Sequence, residues 1–379
     1  MDIEKDKVFF IMHMPPPVHG AAMVGKFIHD SKLVNDNFSC RYVNMMLANS
    51  LEDIGQCGLK KLLLFVRQFK EIKNTIKIFH PNLIYVTPNS SGGAFYKDFV
   101  LLQFVKMCAK RYGKQSPYEI VVHFHNKGVA NNQDKFLDNL LYKVFFKNIK
   151  VILLADVLYK DVEKYVQREN VYICPNGIPE SVSNVSNVKN ISEAKMLFLS
   201  NLIISKGVIV LLDALAILKK RDYRFSCVFV GGETAELNAS SFLCEVEKRG
   251  LMGMVSYEGS KYGDDKRLYF QTSDIFVFPS FNDAFPLVLI EAMQYKLAIV
   301  STDEGGISDM VVDGENGLIC ERKNPKSLAD ALAKLLDNVD LRRLYGENGY
   351  VKYKNEFTIS KFEENITGIL HEICEIKKR

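Results

Sequence analysis

Tryptophan is absent from the 379-residue chain, and so are several features that would define a function class at once. No apolar run approaches the roughly 18 residues that a membrane-crossing helix needs, so a transmembrane protein is excluded. The opening residues, MDIEKDKVFFIMHMPPP, set charged side chains ahead of an apolar stretch too short and wrongly flanked for a secretory signal peptide. The 8 cysteines are scattered, with no CxxC pair and no Cys/His cluster at zinc spacing. That pattern excludes a disulfide scaffold and fits a reducing cytoplasm. With 11 prolines and 23 glycines and no repeat or low-complexity tract, the chain is neither collagen-like nor disordered.

What is present describes a globular protein: 47% of residues are hydrophobic and 25% charged, over a length suited to two domains. The formal net charge of +4 hides an asymmetry. Residues 1–180 hold 24 Lys and Arg against 17 Asp and Glu, whereas residues 181–379 hold 25 against 28. A basic first half is either a set of solvated helix faces or a surface for an anionic partner.

Short β-rich runs alternate with longer amphipathic stretches throughout, the pattern of doubly wound parallel sheets. In the first half, strands are expected at KVFFIM (7–12), NLIYVT (82–87), EIVVHF (119–124), KVILLA (150–155) and VYICP (171–175). In the second half they are expected at KMLFLS (195–200), FSCVFVG (225–231), MVSYEG (254–259), DIFVFPS (274–280) and LAIVST (297–302). Helices are expected between them, for example over 59–79 and 93–111. Pro175-Asn176-Gly177 ends the first series, and the polar stretch 181–192 precedes the second. The expected domains are therefore 1–178 and 179–355, followed by an amphipathic helix over 356–379.

Ligands of doubly wound folds bind beyond the carboxyl ends of strands, which directs attention to the loops there. After the first strand, HMPPPVHGAAMVG is stiffened by proline and reaches Gly20, where a helix starts and a backbone can approach an anion. The bland alternative is a rigid turn. It is not a G-x-G-x-x-G loop, and no acid follows the second strand in the way a dinucleotide site requires. His123 and His125 end the third clear strand, so they either point to opposite faces or turn out onto the loop. Alone they are a weak metal signal, and no metal site is expected. In LFLSNLIISKGVIVLLDAL, Lys206 and Gly207 sit at a helix start, a place suited to phosphate although it is not a Walker A loop.

The most specific stretch is FPSFNDAFPLVLIEAMQYKLAIVSTDEGGISDMVVDGENGLI. Asp283 precedes Phe285-Pro286-Leu287, which opens a helix carrying Glu291 eight residues after the first acid. Two acids so placed can grip hydroxyls at two points of one extended ligand, while the free N–H groups between them hold its phosphates. As plain structure, Asp283 would cap the helix and Glu291 would lie on its exposed face. Glu291 nevertheless lies between Ile290 and Ala292 on a very apolar helix, and a buried carboxylate needs a partner.

This run, with Asn176-Gly177-Ile178 and Ser205-Lys206-Gly207 before it, resembles the retaining glycosyltransferases of the two-domain B fold, family 4 (group 1). The signature is E-x7-E followed by a Gly-Gly turn and a DGENG-like loop. The resemblance implies two Rossmann-like domains facing across a cleft (GT-B), with the last helix crossing back to the first domain. It also implies a nucleoside diphosphate sugar donor, of UDP or GDP type, held mainly by the second domain, and a glycan or lipid-linked acceptor held by the first. By position, Glu291 is implied to accept from ribose hydroxyls and Asp283 to meet hydroxyls of the transferred sugar. Lys206 and the backbone at Phe285, Pro286 and Leu287 would hold the diphosphate, with Gly20 approaching from the other domain. His125 would stand beside the reacting sugar, and Glu304, Gly305 and Gly306 would border the donor pocket.

Two departures from the family pattern bear on donor identity. The first signature acid is Asp283 rather than glutamate and is followed by Ala284 rather than glycine; Asn201 stands where the family has an arginine, removing one cation from the diphosphate site. The chemistry implied needs neither metal nor cofactor. Sugar-nucleotide epimerases share the architecture but would not carry this acid pair with its DGENG-like loop, and a non-catalytic sugar-nucleotide-binding protein is the third reading. The basic helices around 60–77 and 135–150 lead to an expectation of a cytoplasmic protein attached peripherally to an anionic membrane surface. Nothing points to nucleic acid.

Overall fold

The computed structural model of the chain describes residues 5–16, 20–45, 59–112, 118–181 and 194–376, with backbone alone for 59–63 and 376. Most of the polar stretch at 182–192, residues 17–19 of the proline loop and the side chains of residues 60–63 therefore lie outside the described residues. The chain divides into two units, residues 1–176 with 359–379, and residues 177–358.

The first unit runs β1 (Lys7–Met12), α1 (Gly20–Asp30), α2 (Lys32–Asn37), β2 (Ser39–Asn44), α3 (Leu59–Phe79), β3 (Leu83–Val86) and α4 (Gly92–Tyr112). It continues with β4 (Glu119–His123), α5 (Phe136–Phe145), β5 (Lys150–Leu153) and β6 (Val171–Ile173). The strands form one six-stranded sheet in the order β2-β1-β3-β4-β5-β6, every pairing parallel. β1 and β3 are buried along almost their whole length because helices cover both faces, so their sequences read as continuous apolar runs instead of alternating ones.

The second unit runs β7 (Ala194–Leu199), α6 (Val208–Lys220), β8 (Phe225–Val230), α7 (Ala239–Lys248), β9 (Val255–Tyr257) and α8 (Gly263–Gln271). It then turns back through β10 (Ile275–Phe278), α9 (Leu287–Gln294), β11 (Ala298–Thr302), α10 (Ile307–Met310) and β12 (Gly317–Cys320). Two helices close it, α11 (Pro325–Asp337) and α12 (Val339–Glu356). Its six-stranded sheet has the order β12-β11-β10-β7-β8-β9, again parallel throughout.

Two strands, β2 and β12, fall outside the sequence expectations, and both are sheet edges. The helical tail is broken as well. Asn338 ends α11 and caps α12 through its side chain, which accepts from Leu341 N at 2.9 Å. Where the chain enters and leaves the second unit, Ile178 N donates to Phe357 O at 3.0 Å. The last helix, α13 (Ile359–Ile376), then places Phe362, Ile366, Leu370 and Ile373 in the core of the first unit. Those positions recur every three or four residues and so share one helix face.

Candidate active site

In the second unit the strand order reverses between β7 and β10, since the chain first moves outward through β8 and β9 and then crosses to the other side of β7. Such a reversal splays the two following loops apart at the carboxyl edge of the sheet and leaves a ligand-binding crevice there. The loops are tied together at their base. Phe281 N donates to Ser205 O at 2.9 Å, and Lys206 Nζ donates to Asn282 O at 3.0 Å. Gly207 has a φ of 87°, and a Cβ there would stand 2.3 Å from Pro279 O. Only glycine lets the SKG turn close against the β10 loop.

The reversal brings Lys206 and Asp283 together: Nζ lies 2.6 Å from Oδ2, with both side chains about one-fifth exposed (21% and 17%). The other carboxylate oxygen of Asp283 accepts from Ala284 N at 2.8 Å. The β11 loop then locks this segment from behind. Gly305, with a φ of 55°, would place a Cβ 2.3 Å from Asp283 O, and Gly306 N donates to Ala284 O at 2.7 Å. Glu304 is buried, its Oε2 2.5 Å from Arg322 Nη1, and its Oε1 accepts from Asp283 N at 3.4 Å. Arg322 also holds Asp303 Oδ1 at 2.6 Å. The expected turn at Glu304, Gly305 and Gly306 thus supports the Asp283 loop directly.

Two helices begin at this reversal, and neither is capped by a side chain. Gly207 is the N-cap of α6 and Pro286 that of α9. The cap role considered for Asp283 is therefore not taken up, because its carboxylate faces Lys206 and Ala284 N instead. In α7, α11 and α12 the side chains of Asn238, Asn324 and Asn338 satisfy first-turn N–H groups, while α8 and the short α10 also lack a side-chain cap. Uncapped N–H groups at the positive end of a helix, beside a lysine, suit a phosphate.

Glu291 lies one turn into α9, a quarter exposed, and both its oxygens accept from Lys266 Nζ of α8, at 2.7 and 2.6 Å. The apolar flanks of Glu291 called for a partner, but nothing in the sequence singled out Lys266, 25 residues earlier. Asn201 uses its Oδ1 to accept from Gly232 N at 2.9 Å, which ties the loop after β7 to the loop after β8. Arg322 was likewise missed. Its partners lie on a neighbouring loop, and only the parallel pairing of β11 with β12 brings them near.

The remaining residues singled out belong to the first unit. Gly20 is the first residue of α1 and is exposed. His125 sits in a bend beyond β4, half-buried, and its ring packs against that of His123, tilted by 38° with centroids 4.2 Å apart. Of the two sequence-level alternatives, the chain takes the second and turns out at the strand end. His123 is completely buried, and its Nδ1 lies 2.6 Å from the Tyr85 hydroxyl. Burial, with His125 adding to it, holds His123 well below the usual imidazole range, while burial holds Tyr85 well above the usual phenol range. Both groups are therefore neutral, and the two are joined by a buried hydrogen bond whose direction follows the imidazole tautomer. Among the described residues, no three His, Cys, Asp or Glu side chains form a metal-holding group.

The family of glycosyl transferases, group 1, matches residues 180–352. An uncharacterized glycosyltransferase of Methanocaldococcus jannaschii is 23% identical over 82% of this chain and 81% of its own length. A D-inositol 3-phosphate glycosyltransferase of Paenarthrobacter aurescens is 28% identical over 44% of this chain and 42% of its own length. With that relative, as with a capsular polysaccharide biosynthesis glycosyltransferase of Staphylococcus aureus, the match spans less than half of the relative's length. Among solved structures, Anabaena HepE in complex with UDP and glucose is similar with a TM-score of 0.71, at 16% identity over 97% of this chain and 99% of that one. The apo form of the lipopolysaccharide outer core galactosyltransferase WaaB is similar with a TM-score of 0.72, at 14% identity over 97% of this chain and 99% of that one. The two parallel six-stranded sheets with their surrounding helices are the GT-B fold.

Proposed function

We propose that the chain, whose residues 180–352 match the family of glycosyl transferases, group 1, moves a sugar from a nucleoside diphosphate sugar, of UDP or GDP type, to a glycan or lipid-linked saccharide acceptor in the synthesis of a cell-surface polysaccharide. The observation that carries this reading is the junction of β7 and β10. There Lys206, Asp283 and the uncapped starts of α6 and α9 converge at the sheet's reversal. A diphosphate fits the lysine and the helix N-termini, and sugar hydroxyls fit the carboxylate. That HepE was solved with UDP and glucose supports testing uridine donors first.

The reaction breaks the bond between the anomeric carbon and the diphosphate oxygen and forms one to the acceptor oxygen. Negative charge grows on the leaving diphosphate, and Lys206 with the two helix N-termini stabilises it as it forms. The acceptor attacks from the face the diphosphate leaves, its hydroxyl proton passes to the departing phosphate, and the configuration is retained. No protein nucleophile and no metal enter this scheme. Glu291 accepts from the ribose hydroxyls once it yields its bond with Lys266. Gly20 and His125 serve the reaction from the first unit, with His125 beside the transferred sugar. Peripheral residence at the inner face of the membrane, where a lipid-linked acceptor would be met, completes the proposal.

Calorimetric titration with a panel of UDP- and GDP-sugars, followed by turnover assays with and without saccharide acceptors and with EDTA, tests it. Binding of one donor, acceptor-dependent nucleotide release and resistance to EDTA are expected. Binding of no member of the panel would remove the reading. Interconversion of the donor sugar without an acceptor would favour the epimerase alternative.

A further inference from the structure

Large apolar side chains exposed to water in a soluble domain ordinarily lie scattered, and a contiguous set is the informative case. On α4 and α5 of the first unit the set is contiguous. α5 exposes Phe136 (88%), Leu137 (56%), Leu140 and Val144, and α4 exposes Tyr96, Val100 and Met107. At 3.6 residues per turn, the three on α4 fall within about 40° of arc and the four on α5 within about 100°, so each helix carries a single apolar stripe. These stripes lie apart from the helices' packing faces, which bury Phe95, Leu102 and Val105 on α4 and Tyr142 and Phe145 on α5.

The two helices are pinned side by side. The Tyr96 hydroxyl donates to Asp138 Oδ1 at 2.7 Å. Further along, Lys106 Nζ crosses from α4 to donate to the carbonyls of Phe145 and Lys147 at 2.8 and 2.9 Å, closing the C-terminal end of α5. Charge around the stripes is predominantly positive. Within 92–112 and 134–147 the acids are Asp98 and Asp138, both buried, and Asp134, exposed just before α5. Against that one exposed acid stand the exposed cations Lys110, Arg111, Lys135, Lys143 and Lys147.

We propose that this α4/α5 face docks on an anionic lipid bilayer, with Phe136, Leu137, Leu140 and Val144 entering the interfacial layer and the lysines around them meeting the headgroups. A protein partner would also cover apolar area, but a predominantly positive border, five exposed cations against one exposed acid, complements a uniformly anionic surface. Apolar side chains flanked by lysine on one helix face are what interfacial attachment requires. The inference stands on this surface alone and holds whatever reaction the chain performs.

The absence of tryptophan supplies a clean probe. Phe136→Trp introduces a single indole at the most exposed point of the stripe. With vesicles containing phosphatidylglycerol at low salt, its emission is expected to shift to shorter wavelength and to be quenched by lipids brominated along the acyl chain. Vesicles of phosphatidylcholine alone should give little of either. Leu140→Ser in the Phe136→Trp background should weaken partition by about tenfold or more, the scale of withdrawing one large apolar side chain from burial. Lys135→Gln with Lys143→Gln should weaken it further at low salt and lose its effect at high salt. Circular dichroism and donor titration should be unchanged in each variant, since all these side chains are exposed. An emission unchanged by anionic vesicles would overturn the proposal. So would a shift that depends on protein concentration and not on lipid, which would make a second copy of the chain the occupant.

Discussion

Lys206 Nζ stands 2.6 Å from Asp283 Oδ2, so the cation proposed for the diphosphate and the acid proposed for the sugar are each other's partners. A donor entering here must share Lys206 with Asp283. Asp283→Asn therefore has opposite consequences for the two parts of the donor. Affinity for the nucleoside diphosphate alone should be unchanged or rise, because Lys206 loses its competitor, while the extra affinity contributed by the sugar should fall. Calorimetry with UDP against a UDP-sugar reads both. Parallel losses for the two ligands would show that Asp283 does not distinguish sugar from diphosphate.

Lys206→Ala should lower kcat by about a hundredfold to a thousandfold, the scale seen when one preorganised charge stabiliser is removed, with a smaller change in donor affinity. Lys206→Arg should restore part of the rate. A variant that loses affinity and keeps its maximal rate would remove the leaving-group role.

Glu291→Gln removes a charge and keeps the volume. Donor affinity should fall by about 1.5–3 kcal/mol, the range for a hydrogen bond to a charged group. Lys266→Met should instead leave donor affinity equal or improved, since Glu291 then no longer divides its oxygens between Lys266 and the ribose. Equal weakening by both substitutions would mean that the ion pair acts as a unit in positioning α9 against α8.

What the sequence made readable follows the depth of each element in the sheet. Central strands such as KVFFIM and IFVF are buried on both faces, so their apolar runs stand out. β2, SCRYVN, pairs on one side only and leaves most of its side chains partly exposed, and β12 has four residues; neither has an apolar run that separates it from a loop. The acid spacing at Asp283 and Glu291 was legible because both lie on one loop-and-helix segment. The partners Lys266 and Arg322 were not, because what sets them beside Glu291 and Glu304 is the parallel stacking of strands, which leaves no trace in residue spacing. Tyr85 and His123 are 38 residues apart and meet only through the register of β3 with β4.

Gly305→Ala should show how closely the β11 loop supports Asp283. Its cost has two parts, the left-handed φ of 55° and the approach of a Cβ to within 2.3 Å of Asp283 O. Gly314, with a φ of 78° and nothing within 4 Å, carries the first part alone. Gly314→Ala should destabilise by about 1–2 kcal/mol. Gly305→Ala should cost more by about another 1–3 kcal/mol of forced backbone movement, and it should also reduce turnover by shifting Asp283. Thermal unfolding of the two variants side by side makes the comparison. Equal losses would mean that the β11 loop yields freely and gives Asp283 no support.

His123 makes stability depend on pH in a direction that its burial determines. Held neutral well below its ordinary value of about 6.5 by desolvation, it takes up a proton in the unfolded chain before it does so in the folded one. Where the unfolded state binds more protons, stability rises with pH. Its neutral burial is therefore costless above about pH 6.5 and is penalised as pH falls below that, by up to about 1.4 kcal/mol per pH unit. His123→Asn keeps a hydrogen-bonding partner for the Tyr85 hydroxyl and removes the titration. Urea unfolding of both proteins between neutral pH and about pH 5 should show the wild type losing stability faster on the acid side, so that the two curves converge or cross. Curves that stay parallel through that window would show that His123 takes up its proton in the fold as readily as in the unfolded chain, and its neutral state in the folded protein would fall with it.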